Sequence, residues 1–217
     1  MPELPEVEIT ARLLDSALRD RRIESALAPG INVLKAFDPP LEAIAGERVV
    51  AVRRRGKQLI LETSGGLALL MHLMSAGRLQ LYDRRAGPRD RTSRLLVRVS
   101  PGPNEGGTGE LELRLREFGS KQAAWLKVLP VEDLEEDDAL ATLGPEAWPD
   151  PPPLRELLDA PRPLHALLRD QHVIAGIGRS WVDEILWRAK LSPYKRVSIM
   201  ASLRRSASVA SRSAPRL

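Results

Sequence analysis

Seven short β-type runs separated by turn signals constrain this chain most. They are Arg48–Arg53, Gln58–Thr63, Leu67–His72, Arg78–Tyr82, Arg94–Ser100, Glu110–Arg116 and Ala123–Val128. Gly65-Gly66 and the Pro, Gly and Asn cluster at 101–107 punctuate them as turns or hairpin loops. Strands this short, at this spacing, predict an antiparallel sandwich. Before them, residues 5–20 predict one amphipathic helix, with Val7, Leu13, Leu14 and Leu18 at helical spacing.

After the strands the pattern changes. Leu129–Asp150 is an acidic connector with a short helix of its own, and Pro149 and Pro151-Pro152-Pro153 then break the chain. Helical pieces are expected at Leu154–Leu158, Leu164–His172 and Arg179–Lys190. The connector between the last two contains Gly176 and Gly178. Glycines there permit a close backbone approach, and the next helix starts with unpaired N–H groups suited to a phosphate. On this run alone, a plain turn between packed helices is the favoured reading. The expected fold class is α+β: an N-terminal antiparallel β-sandwich with an N-terminal helix over 1–128, then a small helical domain over 129–197. Residues 198–217 hold six Ser, four Arg, four Ala and no acid, and read as a disordered tail.

Charge is distributed unevenly. Residues 131–150 contain eight acids and no Lys or Arg. The 33 basic residues elsewhere therefore face only 29 − 8 = 21 acids, a net +12 against +4 for the whole chain. A basic body points to a polyanion partner, although a solvated surface accounts for charge alone. No apolar run approaches the ~20 residues of a membrane span, and no secretory signal is evident. The sequence has no cysteine, which excludes disulfides and thiolate metal sites, and its three histidines, His72, His165 and His172, match no zinc spacing. A cytoplasmic protein is expected.

The opening, Met1-Pro2-Glu3-Leu4-Pro5-Glu6-Val7-Glu8, carries the chemistry. Once Met1 is removed, Pro2 presents a secondary amine, and an α-amino group titrates near ~8. Part of it is therefore unprotonated and nucleophilic near neutral pH. Attack on an aldehyde-level carbon gives an iminium ion, with the Glu3 carboxyl adjacent as an acid. The competing reading is a plain helix start, since Pro and Glu both suit a first turn.

Five ordered motifs give the chain a resemblance to the formamidopyrimidine-DNA glycosylase/endonuclease VIII family. They are the opening above, Arg55-Gly56-Lys57-Gln58-Leu59, the run from His72 to Leu79, Arg116-Glu117-Phe118-Gly119, and Val173–Pro193. The resemblance implies a β-sandwich followed by a helix–two-turns–helix domain, acting on damaged double-stranded DNA as a monomer. It implies a bifunctional glycosylase and abasic-site lyase of base-excision repair, acting through a Schiff base. By resemblance, Pro2 attacks C1′, Glu3 protonates the opening sugar, Glu6 shapes that site and Lys57 holds phosphate. His72 would face the DNA backbone, Arg116 and Phe118 would wedge into the gap left by the extruded base, and Arg179 would bind phosphate.

Departures from the pattern define the alternative. Ser75 stands where the family places a gap-filling Met, Leu115 and Glu117 replace Pro and Arg in the wedge, and Arg179 replaces an Asn. An acid at 117 is unfavourable beside DNA, which leaves the wedge's partner preference open. The family's zinc finger has no counterpart, so no metal or other cofactor is expected. The alternative is a non-catalytic or weakly active DNA-binding remnant of the same family.

Overall fold

The computed structural model describes residues 2–86, 90–101, 111–118, 122–157 and 162–196. The loop expected at 101–107 lies, apart from Pro101, outside the described residues, as do Gly119, Leu158 and the 198–217 tail. Contacts divide the chain into two units, Met1–Ala141 and Thr142–Leu217.

The first unit opens with α1 (Leu4–Leu18) and β1 (Ile23–Leu27). Seven more strands follow: β2 (Val49–Arg55), β3 (Gln58–Thr63), β4 (Leu67–His72), β5 (Gly77–Tyr82), β6 (Ser93–Val99), β7 (Leu111–Glu117) and β8 (Trp125–Pro130). They form two four-stranded antiparallel sheets, ordered β1-β6-β7-β5 and β2-β3-β4-β8. The sandwich expected from the sequence is present, and β1 is an addition to it. Ile23–Leu27 has one β-branched residue and no clean alternation, so its strand character comes from pairing with β6.

Alternation explains the core. Leu59 and Leu61 of β3 and Leu69 and Met71 of β4 join Leu95, Val97, Leu113 and Leu115 of the other sheet in one cluster. Val7, Ala11, Leu14 and Leu18 of α1 belong to the same cluster. The intervening residues Ile60, Ala68 and Leu70 are also fully buried, so the other face of that sheet is covered too. A 3₁₀ turn at Val131–Glu136 contacts β4 and β8, and Leu134 is buried there. Lys127 bonds Asp137, and Gln58 Nε2 donates to the Ala139 carbonyl at 2.9 Å. The acidic connector is thus tied onto the sandwich, and the contact boundary falls after Ala141 and not at residue 128.

Local bonds fix the ends of α1. Pro5 sits in the first turn, where its missing N–H costs nothing. Arg21 Nε donates to the Ala17 carbonyl at 2.7 Å, and Asp20 takes φ +64°, so the helix stops at Leu18 and not at residue 20.

The second unit packs α4 (Leu164–Arg169) with α5 (Arg179–Arg188), after a short α3 (Leu154–Leu157). Its core is Leu164, Leu167, Leu168, Ile174, Ile177, Val182 and Leu186. The sequence extends α4 to His172; the helix ends earlier because Asp170 Oδ1 accepts the His172 N–H at 3.0 Å, an Asx turn. No helix among the described residues is long and apolar enough to cross a membrane.

Candidate nucleic-acid active site

Pro2 lines an open cavity of about 330 Å³, shared with Glu6, Thr10, Leu73, Gly77, Arg78, Leu79 and Gln80. Glu3 caps α1 and is only 1% exposed. The Glu3 backbone N–H donates to Glu6 Oε2 at 3.0 Å, one half of a capping box. This places the Glu6 carboxylate against the residue after Pro2. Glu8 then fastens the helix to the sheet: its carboxylate accepts from Arg54 Nε of β2 at 2.7 Å. The amphipathic start of α1 therefore anchors the segment that follows Pro2 as well as burying a core face.

The cavity floor depends on one glycine. Gly77 N–H donates to the Leu73 carbonyl at 2.9 Å, and a Cβ at 77 would lie 2.4 Å from that oxygen. Met74 takes φ +50° in the same turn, between two bonded neighbours. Ser75 is exposed on it.

Lys57 does not line this cavity. It occupies the second place of the two-residue turn between β2 and β3, after Gly56 at φ +57°. A glycine in the first place suits a tight hairpin. Lys57 is 8% exposed, which sets it apart from an ordinary surface lysine. His72 lies close enough for the two to interact. Burial first, and then the Lys57 charge, lower the His72 pKa from 6.5 to about 4. His72 Nδ1 accepts the Met74 N–H at 2.9 Å, so its remaining ring proton belongs on Nε2. His72 is thereby a neutral donor at the end of the sheet where the Lys57 turn lies.

Arg116 and Phe118 come together at the end of β7. The Arg116 guanidinium lies 4.8 Å from the centre of the Phe118 ring, which is 54% exposed and not a core phenyl. Arg116 Nε donates to Thr92 Oγ1 at 2.8 Å, and Nη1 to the Tyr82 hydroxyl at 3.3 Å. Asp90 lies 3.8 Å from Arg116. The Thr92 hydroxyl bond to Asp90, with that of Ser93, the Thr92 N–H and the Arg116 charge, outweighs burial and lowers the Asp90 pKa to about 2.

The acid expected to disturb this wedge does not sit in it. Glu117 is 1% exposed and accepts the Ala123 and Ala124 N–H groups, both at 2.9 Å, with Arg94 at 3.6 Å. It points away from Phe118 by strand alternation. Leu115 likewise belongs to the core.

In the second unit, Arg179 is exposed in the first turn of α5, after Gly178 as N-cap. Gln171, which the sequence reading passed over, shapes the preceding turn. Its Oε1 accepts the Gly176 N–H at 3.0 Å and its Nε2 donates to the Ile177 carbonyl at 2.7 Å. Gly176 takes φ +101° there. A glutamine two residues before an apolar Gly-containing run is too common a pattern to signal this role.

A sequence profile of the formamidopyrimidine-DNA glycosylase N-terminal domain matches residues 1–119. The formamidopyrimidine-DNA glycosylase of Cereibacter sphaeroides is 33% identical over 215 residues, covering 90% of this chain and 70% of that protein. The chain belongs to the formamidopyrimidine-DNA glycosylase family. The enzyme of that name from Rhodopseudomonas palustris is 34% identical over 223 residues, covering 93% of this chain and 72% of its own length. A solved Lactococcus lactis family structure, bound to DNA containing an abasic site, superposes with TM-score 0.77 at 24% identity. It covers 90% of this chain and 69% of that one. A MutM structure with DNA containing carbocyclic 8-oxo-G gives TM-score 0.77 at 25% identity, covering 90% and 72%.

The sequence has no cysteine, and among the described residues no group of three or more His, Asp or Glu side chains is placed to hold a metal.

Proposed function

We propose that the chain is a DNA glycosylase of base-excision repair that also cleaves abasic sites, with Pro2 as nucleophile. The observation that carries this is the Pro2 cavity: Pro2, whose nitrogen becomes a terminal amine once Met1 is removed, lines it beside an anchored Glu6, with a buried Glu3 next in the chain. The Pro2 nitrogen attacks C1′ of an extruded nucleotide, the glycosidic bond breaks, and the proton that the amine loses is taken up by the departing base. Glu3 gives a proton to the ring oxygen as the sugar opens, leaving a C1′–nitrogen iminium ion. The iminium draws electrons from C2′, which loses a proton as the 3′ phosphate leaves and the strand is nicked. Hydrolysis of the iminium then frees the amine.

Lys57 and the His72 Nε2–H supply one charged and one neutral donor for backbone phosphate. Arg116 and Phe118 fill the place of the extruded base, a use of an exposed aromatic for which unstacking costs a few kcal/mol. Arg179 adds a phosphate contact at a helix start. No zinc contact enters this scheme.

Borohydride reduction on a duplex with an abasic site tests the reading. A covalent protein–DNA adduct is expected, and it requires removal of Met1. Damage-selective binding with neither an adduct nor release of the damaged base would leave the chain a DNA-binding member of its family and not an enzyme.

A further inference from the structure

Tyr82 bridges the wedge and the Pro2 cavity. Its hydroxyl accepts from Arg116 Nη1 at 3.3 Å and donates to Gln80 Oε1 at 3.1 Å. Gln80 in turn lines the cavity with Pro2, two residues along the same face of β5 from Arg78. The direction of this chain follows from the inventory of donors. A guanidinium has no acceptor, so the Tyr82 oxygen must accept from it, and the hydroxyl proton is directed to the Gln80 oxygen. Gln80 is thereby held with its amide oxygen turned to Tyr82, which leaves the NH₂ group as the end that can donate to a ligand in the cavity it lines. The tyrosine is itself fixed, with the Arg114 guanidinium 4.1 Å from its ring centre.

We propose that Gln80 donates its amide N–H to an oxygen of the damaged nucleotide in the Pro2 cavity, and that Tyr82 positions it. This deepens the proposed function and rests on that reading of the cavity. The oxygen recognised is a carbonyl of the extruded base or a backbone oxygen beside it; both are acceptors that only the NH₂ end of an amide can bind. Through Tyr82, the residue that reads the nucleotide is connected to Arg116, the residue assigned to the emptied stack. Neither Gln80 nor Tyr82 has a signal in the sequence beyond alternation on a short strand.

The test measures dissociation constants of the full chain for three duplexes: one with an oxidised base, one with a tetrahydrofuran abasic analogue, and one undamaged. Gln80→Met keeps length and removes the donor at an exposed position, so folding is retained. It is expected to weaken the damaged-base duplex about fivefold, the worth of one neutral hydrogen bond. Loss on that duplex alone identifies a base carbonyl; equal loss on the tetrahydrofuran duplex identifies a backbone oxygen. Tyr82→Phe keeps the ring under Arg114 and is expected to lose affinity in the same direction. The double variant should be no weaker than Gln80→Met, because both changes remove one interaction.

Gln80→Met binding both damaged duplexes like the unaltered chain overturns the inference. Strictly additive effects of the two changes overturn the role of Tyr82. An unaltered chain that traps abasic DNA while Gln80→Met changes nothing leaves the proposed function standing and sinks this step alone. An unaltered chain with no preference for damaged duplex sinks both.

Discussion

The His72 ring stacks on Trp125, with centroids 5.9 Å apart and planes within 17°. The two residues are cross-strand partners on β4 and β8, so sheet register brings them together. Burial first, and then the Lys57 charge, keep His72 in its neutral form, while the Met74 N–H occupies its Nδ1.

Stability should therefore fall as pH drops from 6.5 toward 4. The folded pKa is about 4, below the unfolded value of 6.5, so the unfolded chain binds more protons in that window. The contribution is fully present above pH 6.5 and is lost on acidification, at up to ~1.4 kcal/mol per pH unit. Urea unfolding at several pH values should show His72→Asn with a shallower decline than the unaltered chain. Parallel declines would mean that His72 titrates normally.

Blocking the terminal amine should abolish covalent trapping. Pro2 follows Met1 directly, and while Met1 is attached the Pro2 nitrogen is a tertiary amide that cannot form the iminium. A form that retains Met1 should fold and bind duplex DNA, because the capping box of Glu3 and Glu6 does not use the amine. Borohydride trapping of that form at the level of processed protein would remove Pro2 from the mechanism.

Much of this arrangement was legible in the sequence because it rests on local signals. β3 and β4 match their expected limits residue for residue, since each is a short, mostly apolar run bounded by tight turns. The Gly56-Lys57 turn was readable for the same reason. β1 was not, because its pairing with β6 is a contact across some seventy residues of chain. Glu117 shows the limit most clearly. Its position beside Phe118 suggested an acid in the wedge, yet strand alternation turns it inward onto Ala123, Ala124 and Arg94. Tyr82, Gln171 and Trp125 act through partners that only tertiary structure supplies.

Gln171→Leu should destabilise the helical unit by about 2 kcal/mol. The change removes partners from the Gly176 N–H and the Ile177 carbonyl, which belong to buried residues. An orphaned buried polar group costs ~1–3 kcal/mol, more than the hydrogen bond itself contributes. Thermal unfolding should show the loss. DNA binding should weaken in parallel if the turn orients Arg179, and the salt slope of binding should stay unchanged, since no charge is removed. A variant with unaltered melting would show that water replaces the amide at this turn.

Lys57→Ala should change two readouts at once. The Lys57 charge helps to depress the His72 pKa, so its removal should raise that value from about 4 toward 6.5, with burial still holding it below. Imidazole NMR can follow this, because the chain has only three histidines. The proposed phosphate role predicts a separate effect on activity. Base excision should fall more than cleavage of a preformed abasic site, where the sugar is already open to Pro2. Lys57→Arg keeps the charge, so His72 should titrate as before, while a guanidinium in this two-residue turn should restore excision only in part. A His72 pKa unchanged in Lys57→Ala would show that the two side chains do not interact. Equal losses on damaged-base and abasic duplexes would mean that Lys57 serves binding at large and not the extruded nucleotide.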